Sequence, residues 1–205
     1  MNVLVIDLGT GNIRSLSSTL TYLGATHVVT ADPAALRTAT HVILPGVGAY
    51  DAAMEAVERL SLARPLQEYA VERSMPLLGV CLGMQILCEG SEEGRRHGLG
   101  LMPGRCLRLA SNGEAHHKVP HVGFSAIHGY RDAGIFQGLG PNAHFYFTHS
   151  YALASLDGDS NVAVCDHARP FVAGFQSGML CGVQFHPEKS QSTGLRLLSN
   201  FFELA

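Results

Sequence analysis

Continuous apolar runs alternating with stretches of helical period constrain the fold of this 205-residue chain more than any other feature. Val3-Leu4-Val5-Ile6, His41-Val42-Ile43-Leu44 and Pro76-Leu77-Leu78-Gly79-Val80 lack the in-and-out alternation of a half-exposed strand. They read as parallel strands buried on both faces. The first leads through Gly9-Thr10-Gly11-Asn12 into a helical pattern at Leu16, Leu20 and Leu23, stopped by Gly24. His27-Val28-Val29-Thr30 reads as a further short strand, and Asp32-Pro33 as an N-cap with proline at the first helical position. Pro45-Gly46-Val47-Gly48 precedes a helix with apolar residues at 53, 54, 57 and 60, and a second helical segment runs towards Arg73. Another helix is expected from about Leu82. Strands separated by helices pair in parallel through right-handed crossovers. The fold class expected is α/β, an open, mostly parallel sheet flanked by helices.

The second half is richer in strands. Phe145-Tyr146-Phe147-Thr148, Asn161-Val162-Ala163-Val164, Val172-Ala173-Gly174-Phe175 and residues 179–185 are β-type runs between Gly, Asp and Pro turns. Residues 192–204 form an apolar-striped closing helix, and residues 89–142 give little pattern. No repeat or linker divides the chain, so residues 1–205 are expected to form a single domain.

Composition narrows the function. Hydrophobic residues make up 46%, which excludes a disordered chain. A net charge of −3 without a basic block gives no argument for nucleic acid or an anionic membrane. The most apolar stretch, 77–88, is too short for a bilayer. Residues 1–6 lack an export signal's basic start and cleavage site. Five cysteines with no C-x-x-C pair argue against a disulfide scaffold and for a reducing cytosol.

Gly79-Val80-Cys81-Leu82-Gly83 carries the chemistry. It has the G-x-nucleophile-x-G form of an elbow between a buried strand and a helix, with cysteine as the nucleophile. The turn sets the sulfur at a helix N-terminus, where free N–H groups favour a thiolate. The N–H of Leu82 is the natural first donor of an oxyanion hole. The expected base is His186 in Gln184-Phe185-His186-Pro187-Glu188, with Glu188 two residues on. In extended chain the two side chains share a face, so Glu188 would orient the imidazole as a triad acid does. Glycines in 45–48 let backbone N–H groups approach a ligand, which makes Val47 and Gly48 candidates for the second oxyanion donor. Cys88, Cys106, Cys165 and Cys181 lack such a setting and read as core.

These segments resemble the class I (triad) glutamine amidotransferases over nearly the whole chain, a flavodoxin-like fold. Within that class, Gly98-Leu99-Gly100-Leu101, Lys118-Val119-Pro120-His121 and Tyr146-Phe147-Thr148-His149-Ser150-Tyr151 resemble the glutaminase subunits of imidazole glycerol phosphate synthase. The resemblance implies that Cys81 attacks the side-chain amide of L-glutamine. His186 then protonates the departing ammonia and activates water against the thioester. It further implies that Gly46, Gln85 and the backbone at His149, Ser150 and Tyr151 bind the substrate. The ammonia passes to a β/α-barrel cyclase subunit, docked near Asn12, Lys118, Pro120, His121, Tyr146 and Lys189. No cofactor or metal is implied, and such a heterodimer is cytoplasmic. Phe124-Ser125 stands where the family has Trp-Asn, which leaves a smaller apolar anchor.

Other readings are weaker. His116-His117 with His121 is the densest histidine group but lacks metal-ligand spacing, and reads as loop histidines. Gly9-x-Gly11 lacks the third glycine of a dinucleotide loop, since Arg14 stands there. Glu92-Glu93-Gly94-Arg95-Arg96 reads as a solvated charged loop. Three alternatives to the cyclase-linked glutaminase are a paralogue with another ammonia acceptor, a stand-alone cysteine hydrolase active without a partner, and an idle binding module whose Cys81 would be unreactive.

Overall fold

The computed structural model describes residues 1–9, 11–109, 118–156 and 158–204. Its main sheet has seven strands. Five are parallel: β1 (Val3–Ile6), β2 (His27–Thr30), β3 (His41–Gly46), β4 (Leu77–Cys81) and β12 (Leu180–Val183). β11 (Arg169–Ser177) and β10 (Asn161–His167) extend the β12 side antiparallel, giving the order β10-β11-β12-β4-β3-β1-β2. The chain therefore has the expected α/β architecture, a mostly parallel sheet with a strand-rich second half.

The unbroken apolar runs are explained by where their side chains go. On β1, Leu4 and Ile6 enter one core, Val3 and Val5 the other; β3 divides Val42 and Leu44 from Ile43. Side chains alternate across a strand, so a sheet covered on both faces needs apolar residues at every position. Helix α2 (Tyr50–Arg59) and α4 (Leu82–Leu87) cover the first face with Met54, Val57, Met84 and Leu87. Helices α1 (Ile13–Tyr22) and α5 (Gln191–Phe202) cover the second with Leu16, Leu20, Leu197 and Phe201.

Several boundaries differ from the sequence expectation. The segment after α2 is one short helix, α3 (Ala63–Gln67), continued by a wide π-type turn at Glu68–Glu72. Asp32 does cap, accepting from Ala34 N at 2.9 Å, but Pro33–Arg37 winds as a 3₁₀ turn. The poorly patterned middle supplies β5 (Gly90–Ser91), β6 (Arg105–Arg108) and β7 (His121–Ile127). β5 and β6 form a small sheet with β9 (Tyr151–Leu153), and β7 pairs with β8 (Ala143–His149). Among the described residues, no helix is long and apolar enough to cross a membrane.

Register places the site. Gly46 lies opposite Cys81, and Val183 opposite Val80. The C-terminal ends of β3, β4 and β12 thus lie side by side, and residues 46–48, 81–82 and 184–188 leave the sheet together. This is the edge at which open parallel sheets bind ligands.

Candidate active site

Cys81 ends β4 and begins α4 with φ 55° and ψ −111°. A non-glycine residue held there costs about 1–3 kcal/mol, so the surrounding packing must enforce the turn. The two elbow glycines enforce it. A Cβ on Gly83 would lie 1.7 Å from the Leu44 carbonyl oxygen of β3, and one on Gly79 would meet Gly83 O and Met84 Cα at 2.8 Å. The glycines are needed for contact with β3 and within the elbow, rather than to clear the sulfur itself.

His186 follows β12, and its N–H donates to the Tyr146 carbonyl at 2.9 Å. Its Nδ1 lies 2.8 Å from Glu188 Oε1, with both side chains almost wholly buried. The carboxylate only accepts, so Nδ1 carries the proton. Nε2 is buried without a hydrogen-bond partner. Burial pulls the imidazole's pKa down, but Cys81 and Glu188 together outweigh it and raise the pKa to about 9. The pairing expected from extended chain forms differently. Only His186 is extended, and Pro187–Lys189 is a 3₁₀ turn whose proline sits at the first helical position. The pairing is made where the extended backbone of His186 enters that turn, which folds Glu188 back onto the imidazole. Ser190 locks it, donating to His186 O at 2.6 Å and accepting from Tyr146 N at 2.9 Å.

A cavity of about 340 Å³ opens beside Cys81. Val47, Gly48, Leu82, Gln85, His149, Ser150 and Tyr151 all line it, with Pro120 at its wall. Gly46 does not line it. Gly46 packs against the elbow instead, where a Cβ would sit 3.1 Å from Leu82 Cβ. Gly48, at φ +109°, holds a backbone shape that suits glycine.

Gln85 is fixed by donating from Nε2 to the Tyr151 carbonyl at 2.9 Å. The same carbonyl is 3.0 Å from His149 Nδ1, which must therefore be protonated. His149 Nε2 then accepts from His121 Nδ1 at 3.1 Å, and His121 Nε2 accepts from the Ser125 hydroxyl at 2.8 Å. Burial is the main cause that lowers His149 to about 4 and His121 to about 3, so both rings are neutral. This corrects the expectation that His121 faces a partner. Its ring is 2% exposed and stacked between Phe147 and His167. Antiparallel register pairs His121 with His149 and turns both inward.

The other expected docking residues lie at or near the surface. Asn12 and Lys118 are exposed, and Asn12 also caps α1 by accepting from Ser15 N. Tyr146 and Lys189 are half-buried, with Lys189 Nζ 5.5 Å over the Tyr146 ring. His116 and His117 lie outside the described residues. Among the described residues, no three His, Cys, Asp or Glu side chains are grouped as metal ligands would be.

Glu93 escaped the sequence reading. It lines the cavity, accepts from Tyr50 N at 3.2 Å, and has its pKa raised by burial. Its loop is not simply solvated. The Asp51 carboxylate accepts from Arg95 and Arg96 N–H groups, and Arg96 pairs with Glu55 and Glu58. No local pattern marks Glu93, because folding of 91–96 over the start of α2 is what brings it to the cavity.

The glutamine amidotransferase class-I family model matches residues 4–205. This chain belongs to the class-I glutamine amidotransferases. Among similar class-I proteins is the imidazole glycerol phosphate synthase subunit HisH of Desulfitobacterium hafniense strain Y51. It is 43% identical over 198 residues, covering 96% of this chain and 92% of the relative. The protein of that name from Xanthomonas axonopodis pv. citri is 42% identical, covering 100% and 98%. Among solved structures, a glutamine amidotransferase superposes with a TM-score of 0.77 at 21% identity, covering 98% of this chain and 97% of its own. A glutamine amidotransferase from Thermotoga maritima gives 0.65 at 20%, covering 99% and 83%. These two structural likenesses support the amidotransferase fold. The chain is a glutamine amidotransferase, with glutaminase chemistry its class activity.

Proposed function

We propose that this chain is the glutaminase subunit of an imidazole glycerol phosphate synthase, with residues 1–205 acting as one glutaminase domain. It hydrolyses L-glutamine to glutamate and ammonia, and passes the ammonia to a β/α-barrel cyclase subunit in histidine biosynthesis. Lyase chemistry then belongs to the cyclase. The observation that carries the chemistry is the buried Glu188–His186 pair beside the strained Cys81. Nδ1 is committed to Glu188 and Nε2 is left free for proton transfer.

In this reading Sγ of Cys81 attacks the glutamine Cδ, and the negative charge on the former amide oxygen is met by backbone N–H groups of Leu82 and of Val47 or Gly48. His186 Nε2–H gives its proton to the leaving ammonia. The same nitrogen then takes a proton from water as that water attacks the thioester. Glu188 keeps the imidazole in one orientation throughout. Gln85, Glu93 and the backbone at His149, Ser150 and Tyr151 bind the amino-acid end, Glu93 meeting the α-ammonium.

The cyclase docks on the outer face of β7 and β8. Val122 and Phe124 are 58% and 50% exposed there, and Phe124 meets Tyr146 edge-on at 5.6 Å between centroids. An apolar centre bordered by the Lys189 ammonium, which lies over the Tyr146 ring, fits a heterodimer contact. The five free cysteines fit a cytoplasmic protein.

The test is glutamate release by the chain alone, with cyclase, and with cyclase plus its nucleotide substrate. Low basal release that rises strongly in the last mixture supports the proposal. A rate indifferent to the cyclase refutes the partner. Cys81→Ala abolishes glutamine-dependent synthesis but leaves synthesis from added ammonium intact. Glutamine hydrolysis at the wild-type rate in that variant refutes the nucleophile assignment.

A further inference from the structure

Gln184 has no part in the mechanism above, yet its carboxamide is fully buried between the nucleophile and Gln85. Nε2 lies 3.7 Å from Cys81 Sγ, and Oε1 accepts from Gln85 Nε2 at 3.1 Å. Its own backbone N–H donates to the Ala173 carbonyl at 2.8 Å, which holds the residue against β11.

The direction of the contact with sulfur follows from the far end of the chain of amides. The Tyr151 carbonyl accepts only, so the Gln85 atom 2.9 Å from it is the NH₂ group. That NH₂ also meets Gln184, which must therefore present its oxygen. The Gln184 NH₂ is left facing the sulfur. A reversed amide would set NH₂ against NH₂ and oxygen against the sulfur lone pairs, a mismatch that is costly at a fully buried side chain.

We propose that Gln184 is a further positioning residue of this glutaminase. Its N–H donates to Cys81 Sγ, steadies negative charge on the sulfur and keeps it aimed at the cavity. Its carbonyl holds Gln85, so one side chain couples the nucleophile to the substrate-binding wall. This rests on the glutaminase reading for its consequence in turnover, but not for its effect on the thiol.

Two variants separate the roles. Gln184→Glu keeps an oxygen for Gln85 and puts a second oxygen against sulfur. Gln184→Met keeps the shape and loses both contacts. Alkylation of Cys81 by iodoacetamide in the full chain, followed by peptide mapping, reads the sulfur; the other four cysteines are fully buried. Steady-state kinetics with cyclase and its substrate reads turnover.

A lost hydrogen bond to a charged group corresponds to about a tenfold or greater effect. Gln184→Glu is therefore expected to slow alkylation and kcat about tenfold or more with KM little changed. Its deficit widens as pH rises and the new carboxyl ionises. Gln184→Met slows alkylation and raises KM as well, because Gln85 is released. Alkylation of the Met variant within about twofold of wild type overturns the proposal, whether or not the Glu variant folds. So does a Glu variant whose alkylation deficit is flat with pH. Gln184-dependent alkylation in a chain that releases no glutamate upholds the donor role and refutes the glutaminase reading instead.

Discussion

His186 makes the stability of this protein depend on pH in a way that isolates its active site. Its pKa is about 9 in the folded chain, against about 6.5 for an unperturbed imidazole. A folded pKa raised above the unfolded one means that the folded state binds the proton more tightly. The resulting stabilisation is complete below about pH 6.5 and is lost as pH rises through about 9. The displacement corresponds to roughly 3 kcal/mol, or about 6–12 °C in melting temperature for a chain of this size. The perturbation is His186→Asn, which retains a side-chain donor for Glu188 but does not titrate. Urea unfolding of both proteins from about pH 6 to about pH 10 gives the stability gap. Subtracting the variant removes the contribution of Cys88, Cys106, Cys165 and Cys181, which ionise in the unfolded chain over the same range, and leaves that of the coupled Cys81–His186–Glu188 group. The gap is expected to shrink by roughly 3 kcal/mol towards alkaline pH. A gap that stays constant, or widens, refutes the reasoning that Cys81 and Glu188 hold the imidazole in its charged form.

Other perturbations give sharp outcomes. Glu93→Gln is expected to raise KM for glutamine about tenfold with a smaller change in kcat, since it removes a charged contact to the α-ammonium; an unchanged KM removes Glu93 from the substrate site. Gly83→Ala drives a Cβ to 1.7 Å from Leu44 O, so the elbow and β3 must part. A loss of about 1–3 kcal/mol or more in thermal unfolding is expected, along with glutaminase activity, and a variant that melts as wild type does refutes the contact. Phe124→Ala is expected to weaken cyclase binding about tenfold, measured by titration calorimetry, without altering Cys81 alkylation in the free chain. Unchanged affinity moves the docking face away from β7 and β8.

The elbow was legible in the sequence because its geometry is local. Five consecutive residues carry the strand end, the proposed nucleophile and the two positions where a Cβ cannot fit. His186 and Glu188 were legible for the same reason, although the turn that joins them is 3₁₀ rather than extended. Glu93 and Gln184 were not, since each acquires its place from segments far away in the chain. His121 was placed on the wrong side because the partner of β7 was unknown. Pairing His121 with His149 turns the imidazole inward and leaves Val122 and Phe124 outward. In a two-stranded ribbon a shift of one residue reverses that choice.

The sequence by itself determined the α/β class and singled out Cys81 and His186 as the proposed nucleophile and base, because apolar periodicity and tight turns act over a few residues. Tertiary structure alone decided the sheet order that sets β3, β4 and β12 side by side. It also decided the neutral state of the His121–His149 pair, the cavity carboxylate of Glu93, and the amide that faces the sulfur. Burial and hydrogen-bond polarity depend on which distant segments meet, and a linear pattern does not record that.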